Sequence, residues 1–139
     1  MRIALVSDAW PPQINGVVRT LCTTVERLRA MGHVVETITP DGFATVPCPR
    51  YPEIRLAVVP GRGVRRRLES FAADAIHIAT EGPLGWAARR WCLDREHPFT
   101  TSFHTRFPDY LAVRTGLPAD LFWASLRRFH RPAERVLVA

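Results

Sequence analysis

No lysine occurs in this 139-residue chain; all 19 basic side chains are arginine, set against 13 acidic ones for a formal charge of +6. An arginine-only set would provide planar forks for phosphate. It is also what a coding sequence rich in G and C produces, which is the plainer reading. Cysteine is scarce: Cys22, Cys48 and Cys92 are odd in number and widely spaced, which suggests neither a disulfide framework nor a zinc ribbon. No apolar run approaches the roughly 20 residues of a bilayer span. Met1-Arg2 leads at once into Ile3-Ala4-Leu5-Val6, too short for the core of a secretory leader, and Asp8 and two prolines follow. The expected location is therefore cytoplasmic. No aromatic residues interleave with the clustered arginines to stack on bases, which argues against nucleic acid. There is no internal repeat and no low-complexity segment.

What is present is an ordinary globular composition, 47% hydrophobic and 23% charged, in a chain of single-domain length. Apolar patterning alternates strand and helix. Residues 2–7 form a continuous apolar run, as in a strand buried on both faces. Residues 17–31 carry a helical stripe at Val17, Leu21, Val25 and Leu28 that ends at Gly32. Strands are expected over 34–39, 54–59, 75–79, 99–103 and 135–138, with 41–52 as a proline-rich loop. Helices are expected over 64–71, from Pro83 through the stripe Leu84, Ala87, Ala88, Trp91 and Cys92, and from Pro118-Ala119-Asp120 through Phe129. This order implies right-handed βαβ units and an α/β, doubly wound, mainly parallel sheet. The chain stops on the apolar strand 136–139 without a closing helix, so a C-terminal truncation is expected.

Three constellations could carry chemistry. After the first strand, where a dinucleotide fold shows G-x-G-x-x-G, the loop reads Ser7-Asp8-Ala9-Trp10-Pro11-Pro12-Gln13-Ile14-Asn15-Gly16. The loop is longer, stiffened by prolines and carries one glycine, which argues against NAD or FAD. Either Gly16 is laid bare against a ligand, or Asn15-Gly16 merely caps the helix. The second constellation is Thr80-Glu81-Gly82-Pro83-Leu84-Gly85. Glu81 would either accept hydrogen bonds from a ligand's hydroxyls or bond the N–H groups of its own helix. The third is Ser102-Phe103-His104-Thr105-Arg106-Phe107-Pro108-Asp109-Tyr110. Here His104 stands just past a strand, at the rim where α/β folds collect ligands. No second ligating residue stands at metal-binding spacing, so no metal is expected. His77 is expected to be hydrogen-bonded in the core, and His97 and His130 at the surface. Arg62, Arg65, Arg66 and Arg67 would face anionic lipid or form a solvated helix face.

On these blocks, together with Ile3-Ala4-Leu5-Val6-Ser7-Asp8 and Val17-Val18-Arg19-Thr20-Leu21, the chain resembles the N-terminal half of retaining glycosyltransferases of the GT-B architecture. Within them it is most similar to the family-4 group that includes GDP-mannose-dependent α-mannosyltransferases and sulfolipid sugar transferases. The resemblance implies one of two Rossmann-like halves, residues 1–139 being the acceptor half with the nucleotide-sugar domain absent. It also implies no cofactor beyond a nucleotide-sugar co-substrate, GDP-mannose first. It places Gly16 at the donor diphosphate and His104 at the transferred sugar. Asp8, Asn15, Arg19, Glu81, Arg106 and Tyr110 would then shape the acceptor side, for a lipid or glycan at the inner membrane face. A noncatalytic half-domain that binds sugar or headgroup and docks to a separate partner is the alternative.

Overall fold

The computed structural model describes residues 1–49, 51–104 and 115–138. In chain order its elements are β1 (Arg2–Val6), α1 (Gly16–Ala30), β2 (Val34–Ile38), β3 (Thr45–Cys48), β4 (Tyr51–Ala57), α2 (Gly61–Phe71), β5 (Ala75–Ile78), α3 (Pro83–Asp94), β6 (Thr100–Phe103), α4 (Ala119–His130) and β7 (Arg135–Val138). Among the described residues, five strands form one parallel sheet in the order β2-β1-β5-β6-β7.

From β1 the chain steps to β2 on one side; β5, β6 and β7 follow on the other. Right-handed crossovers in opposite lateral directions put their helices on opposite faces. The core divides accordingly. Leu5, Val35 and Ala79 meet Leu21 and Val25 of α1 on one face. On the other, Ala4, Val6, Ile76 and Ile78 meet Val64 and Leu68 of α2, Leu84, Ala88 and Cys92 of α3, and Phe129 of α4. The alternation along β1 explains why its run is apolar throughout: Ala4, Leu5 and Val6 are all buried, on alternate faces. Gly32 takes φ +93 behind α1, where the N–H groups of Met31, Gly32 and His33 close on Arg27, Arg29 and Leu28.

One stretch departs from the sequence reading. Residues 41–52, expected as a loop, contain β3, and the strand expected over 54–59 is the end of β4 rather than a member of the main sheet. β3 and β4 form a separate antiparallel pair, with Thr45 opposite Ala57 and a bulge at Pro47/Cys48. Prolines 47 and 52 are tolerated because a two-stranded ribbon leaves one edge of each strand free of ladder bonds. Ala57 and Phe43 attach the ribbon to the core.

In a sheet of this order, the connections from β1 and β5 leave in opposite directions at their carboxyl ends. The crevice at that switch point is where such folds bind ligands. The loops after β1, β5 and β6 all open there.

Candidate functional site

Asp8, the second residue past β1, is buried at 6% exposure. Its carboxylate accepts from Thr80 Oγ1 at 2.7 Å, from Leu84 N at 2.8 Å and from Gly85 N at 3.3 Å. Thr80 Oγ1 in turn accepts from Asp8 N at 2.7 Å. Asp8 therefore caps α3 from a neighbouring strand, taking up backbone donors that the first turn leaves open. Burial raises its pKa, and the Thr80, Leu84 and Gly85 donors partly offset this. The glycines of the block make the approach possible. A Cβ on Gly82 would lie 2.4 Å from Asp8 Cγ, and one on Gly85 would lie 1.9 Å from the Thr80 carbonyl oxygen. The reading in which Glu81 caps its own helix is thus corrected: the acid from β1 does so. Asp8, expected on the acceptor side, has its carboxylate committed to α3.

The loop from β1 to α1 is held by its own polar groups. Ser7 Oγ donates to the Ala9 carbonyl at 2.7 Å, and Gln13 Nε2 donates to the Asp8 carbonyl at 3.2 Å. Asn15 caps α1, its Oδ1 accepting from Val18 N at 2.9 Å. Gly16 opens the helix, and a Cβ placed there meets nothing within 4 Å beyond its chain neighbours and the backbone of its own helix. The first turn of α1 carries no acidic residue. The cap reading of Asn15 is therefore realised, and the space over Gly16 stays open.

Two histidine networks flank the β5 and β6 ends. Register pairs Leu5 with His77 and His77 with Thr100, so His77, Thr100 and Ser102 share the α1 face of the sheet. His77 Nδ1 lies 2.8 Å from Thr100 Oγ1, and its Nε2 lies 3.2 Å from Ser102 Oγ. Ser102 Oγ lies 2.8 Å from His104 Nε2 and donates to the Ala79 carbonyl at 3.2 Å. Burial, with His104 adding to it, brings the His77 pKa down to about 4, so the ring is neutral. Burial also lowers His104, against the opposing pull of the nearby Glu81 charge. On the other side, Glu81 Oε1 accepts from His130 Nε2 at 2.8 Å, and His130 Nδ1 lies 2.7 Å from Thr101 Oγ1. Glu81 thus faces His104 electrostatically while α4 holds it by His130.

Residues 14–139 match Glycosyltransferase Family 4. The chain belongs to that family. It is similar to the GDP-mannose-dependent alpha-mannosyltransferase of Mycobacterium tuberculosis, with 30% identity over 160 residues that cover 99% of this chain and 41% of that protein. The protein of the same name from Corynebacterium glutamicum is 31% identical over 157 residues, 99% of this chain and 37% of its own length. Alpha-monoglucosyldiacylglycerol synthase of Acholeplasma laidlawii is 30% identical over 128 residues, covering 79% and 31%. The chain thus spans about two-fifths of the length of the curated mannosyltransferases it matches. No solved structure matches it at a significant level.

In this family-4 chain Asp8, Asn15 and Gly16 follow β1, Glu81 follows β5 and His104 follows β6. Arg19 is exposed on the first turn of α1. Arg106 and Tyr110 lie outside the described residues. His130, expected at the surface, is a correction: its side chain is 12% exposed and holds Glu81. Its only sequence signal was its place at the last turn of a helix, and only the tertiary return of α4 to the sheet edge gives that meaning. The arginine cluster is also divided. Arg67 turns to the sheet, donating to Glu36 Oε1 at 2.6 Å and to the Thr37 carbonyl at 2.8 Å. Arg65 pairs with Glu69 at 3.0 Å. Arg62 and Arg66 are exposed.

Proposed function

We propose that this chain is the acceptor-side half of a retaining glycosyltransferase that moves a hexose, mannose from GDP-mannose first, to a hydroxyl of a lipid or glycan. The observation that supports the proposal is that Gly16, Glu81 and His104 stand in the segments following β1, β5 and β6, on the carboxyl edge of the sheet of a Family 4 chain. In this reading the bare start of α1 approaches the donor diphosphate. Its backbone N–H groups and helix dipole favour an anion, and Gly16 puts no side chain in the way. His104 meets the transferred sugar near the reacting carbon. Glu81, steadied by His130, accepts from sugar hydroxyls, and Asn15, Arg19, Arg106 and Tyr110 line the acceptor side. Asp8 acts one step back, by fixing the loop that carries Glu81.

The nucleotide pocket and the acidic pair of the E-x7-E type belong, in this proposal, to a second half. The chain's two-fifths share of its mannosyltransferase relatives supports that view. Alone, the chain would not turn over, because half a cleft neither positions the donor nor excludes water. A lipid acceptor at the cytoplasmic membrane face is supported by the relative named for a glucosyl diacylglycerol. It is also supported by Arg62, Arg65 and Arg66 standing on α2 just past the exposed Val58 and Val59.

The test is His104→Ala in the enzyme completed by its nucleotide-sugar half. Transfer should fall by about two orders of magnitude or more if the ring meets the reacting sugar. A fall of less than about threefold would return His104 to a structural role.

A further inference from the structure

Ser102 is where the proton positions of the site can be counted. Its hydroxyl has one hydrogen and two lone pairs. Three partners surround the oxygen: the Ala79 carbonyl at 3.2 Å, His77 Nε2 at 3.2 Å and His104 Nε2 at 2.8 Å. A carbonyl oxygen only accepts, so the Ala79 contact takes the single hydroxyl hydrogen. Both imidazoles must then donate to Ser102, each from Nε2. His77, with its proton on Nε2, has a bare Nδ1 that accepts from the Thr100 hydroxyl at 2.8 Å. Only this arrangement satisfies all four contacts together. Ser102 is 5% exposed, so a contact left unmade there is not replaced by bulk water.

We propose that Ser102, backed by His77 and the Ala79 carbonyl, is a positioning residue that fixes the tautomer of His104 with Nε2–H turned inward and Nδ1 bare. The ring then presents a hydrogen-bond acceptor to whatever occupies the mouth. That suits a hydroxyl-bearing ligand, whose O–H donates to Nδ1, over one offering only a carbonyl or phosphate oxygen. The inference deepens the reading of His104 as the residue that meets the sugar. Its geometry, however, stands on Ser102, His77, Thr100 and Ala79, none of which needs a ligand.

The experiment is a long-range proton–nitrogen correlation spectrum of the nitrogen-15-labelled chain near neutral pH, in which protonated and bare ring nitrogens are separately resolved. Wild-type His104 should show a protonated Nε2 and a bare Nδ1. Ser102→Ala, which removes only the hydroxyl, should shift His104 toward a mixture of both tautomers, and Ser102→Thr should restore the wild-type pattern. A wild-type His104 carrying its proton on Nδ1 would overturn the proposal whether or not the variants fold. An unchanged tautomer ratio in a folded Ser102→Ala would overturn it too. This readout involves no turnover: if His104→Ala keeps full transfer while the tautomer pattern holds, the sugar-contact reading fails and the positioning inference stands.

Discussion

Acid should undo this fold partly through one buried ring. His77 sits in the middle of the sheet, bonded to Thr100 and Ser102 on β6, and its pKa falls from 6.5 to about 4. The folded value lies below the unfolded one, so the protein binds this proton more weakly when folded. The stability His77 confers is complete above 6.5 and is lost as pH falls toward about 4. The slope across that window is about 1.4 kcal/mol per pH unit, and the whole interval amounts to about 3 kcal/mol. That is a large share of the roughly 5–15 kcal/mol that holds a domain together. The assay is urea unfolding at a series of pH values across the window, for the wild type and for His77→Gln. The amide of the variant can still meet a hydroxyl but takes up no proton. His104, whose pKa shifts in the same direction, titrates in both proteins, so the difference between them isolates His77. The wild type should lose about 3 kcal/mol more than the variant over the interval. Parallel curves would refute the reasoning, since they would mean that His77 is not held neutral by its surroundings.

Two further outcomes follow. Asp8→Ala removes the acceptor for the Thr80 hydroxyl and the Leu84 and Gly85 amides and should destabilise the fold by about 3 kcal/mol in urea unfolding; a loss under about 0.5 kcal/mol would show that α3 is capped otherwise. Replacing Arg62, Arg65 and Arg66 together by glutamine should weaken binding of the chain to anionic vesicles at low salt and leave its unfolding midpoint nearly unchanged, because these three are exposed; vesicle binding equal to the wild type would remove the membrane surface from the proposal.

The main sheet was legible because its signals are local. The unbroken apolar run of β1 requires cover on both faces, and both faces are covered. Of the stripe Leu84, Ala87, Ala88, Trp91 and Cys92, α3 buries Leu84, Ala88 and Cys92 fully and packs Ala87 and Trp91 half-buried against the same core. The β3–β4 ribbon was hidden because prolines that forbid a central strand do not forbid an isolated pair. The site was half legible. A histidine past β6, a glycine opening α1 and a carboxylate past β5 can each be placed at the sheet edge by element order alone. What they bond to cannot. Asp8 and Glu81 are both acids near the start of α3, and the choice between them follows from β1 lying beside β5. Likewise, His130 acquires a partner only because the last turn of α4 comes back over Thr101 and Glu81.

The open start of α1 is the place proposed for the donor, and one substitution there tests it directly. Gly16→Val adds a side chain whose first carbon meets nothing within 4 Å beyond its chain neighbours and the backbone of its own helix, so the melting temperature should stay at or near the wild-type value. In the completed enzyme, transfer from GDP-mannose should nevertheless drop by about tenfold or more, because the added methyls occupy space proposed for the diphosphate. Wild-type transfer by a folded Gly16→Val enzyme would contradict the account.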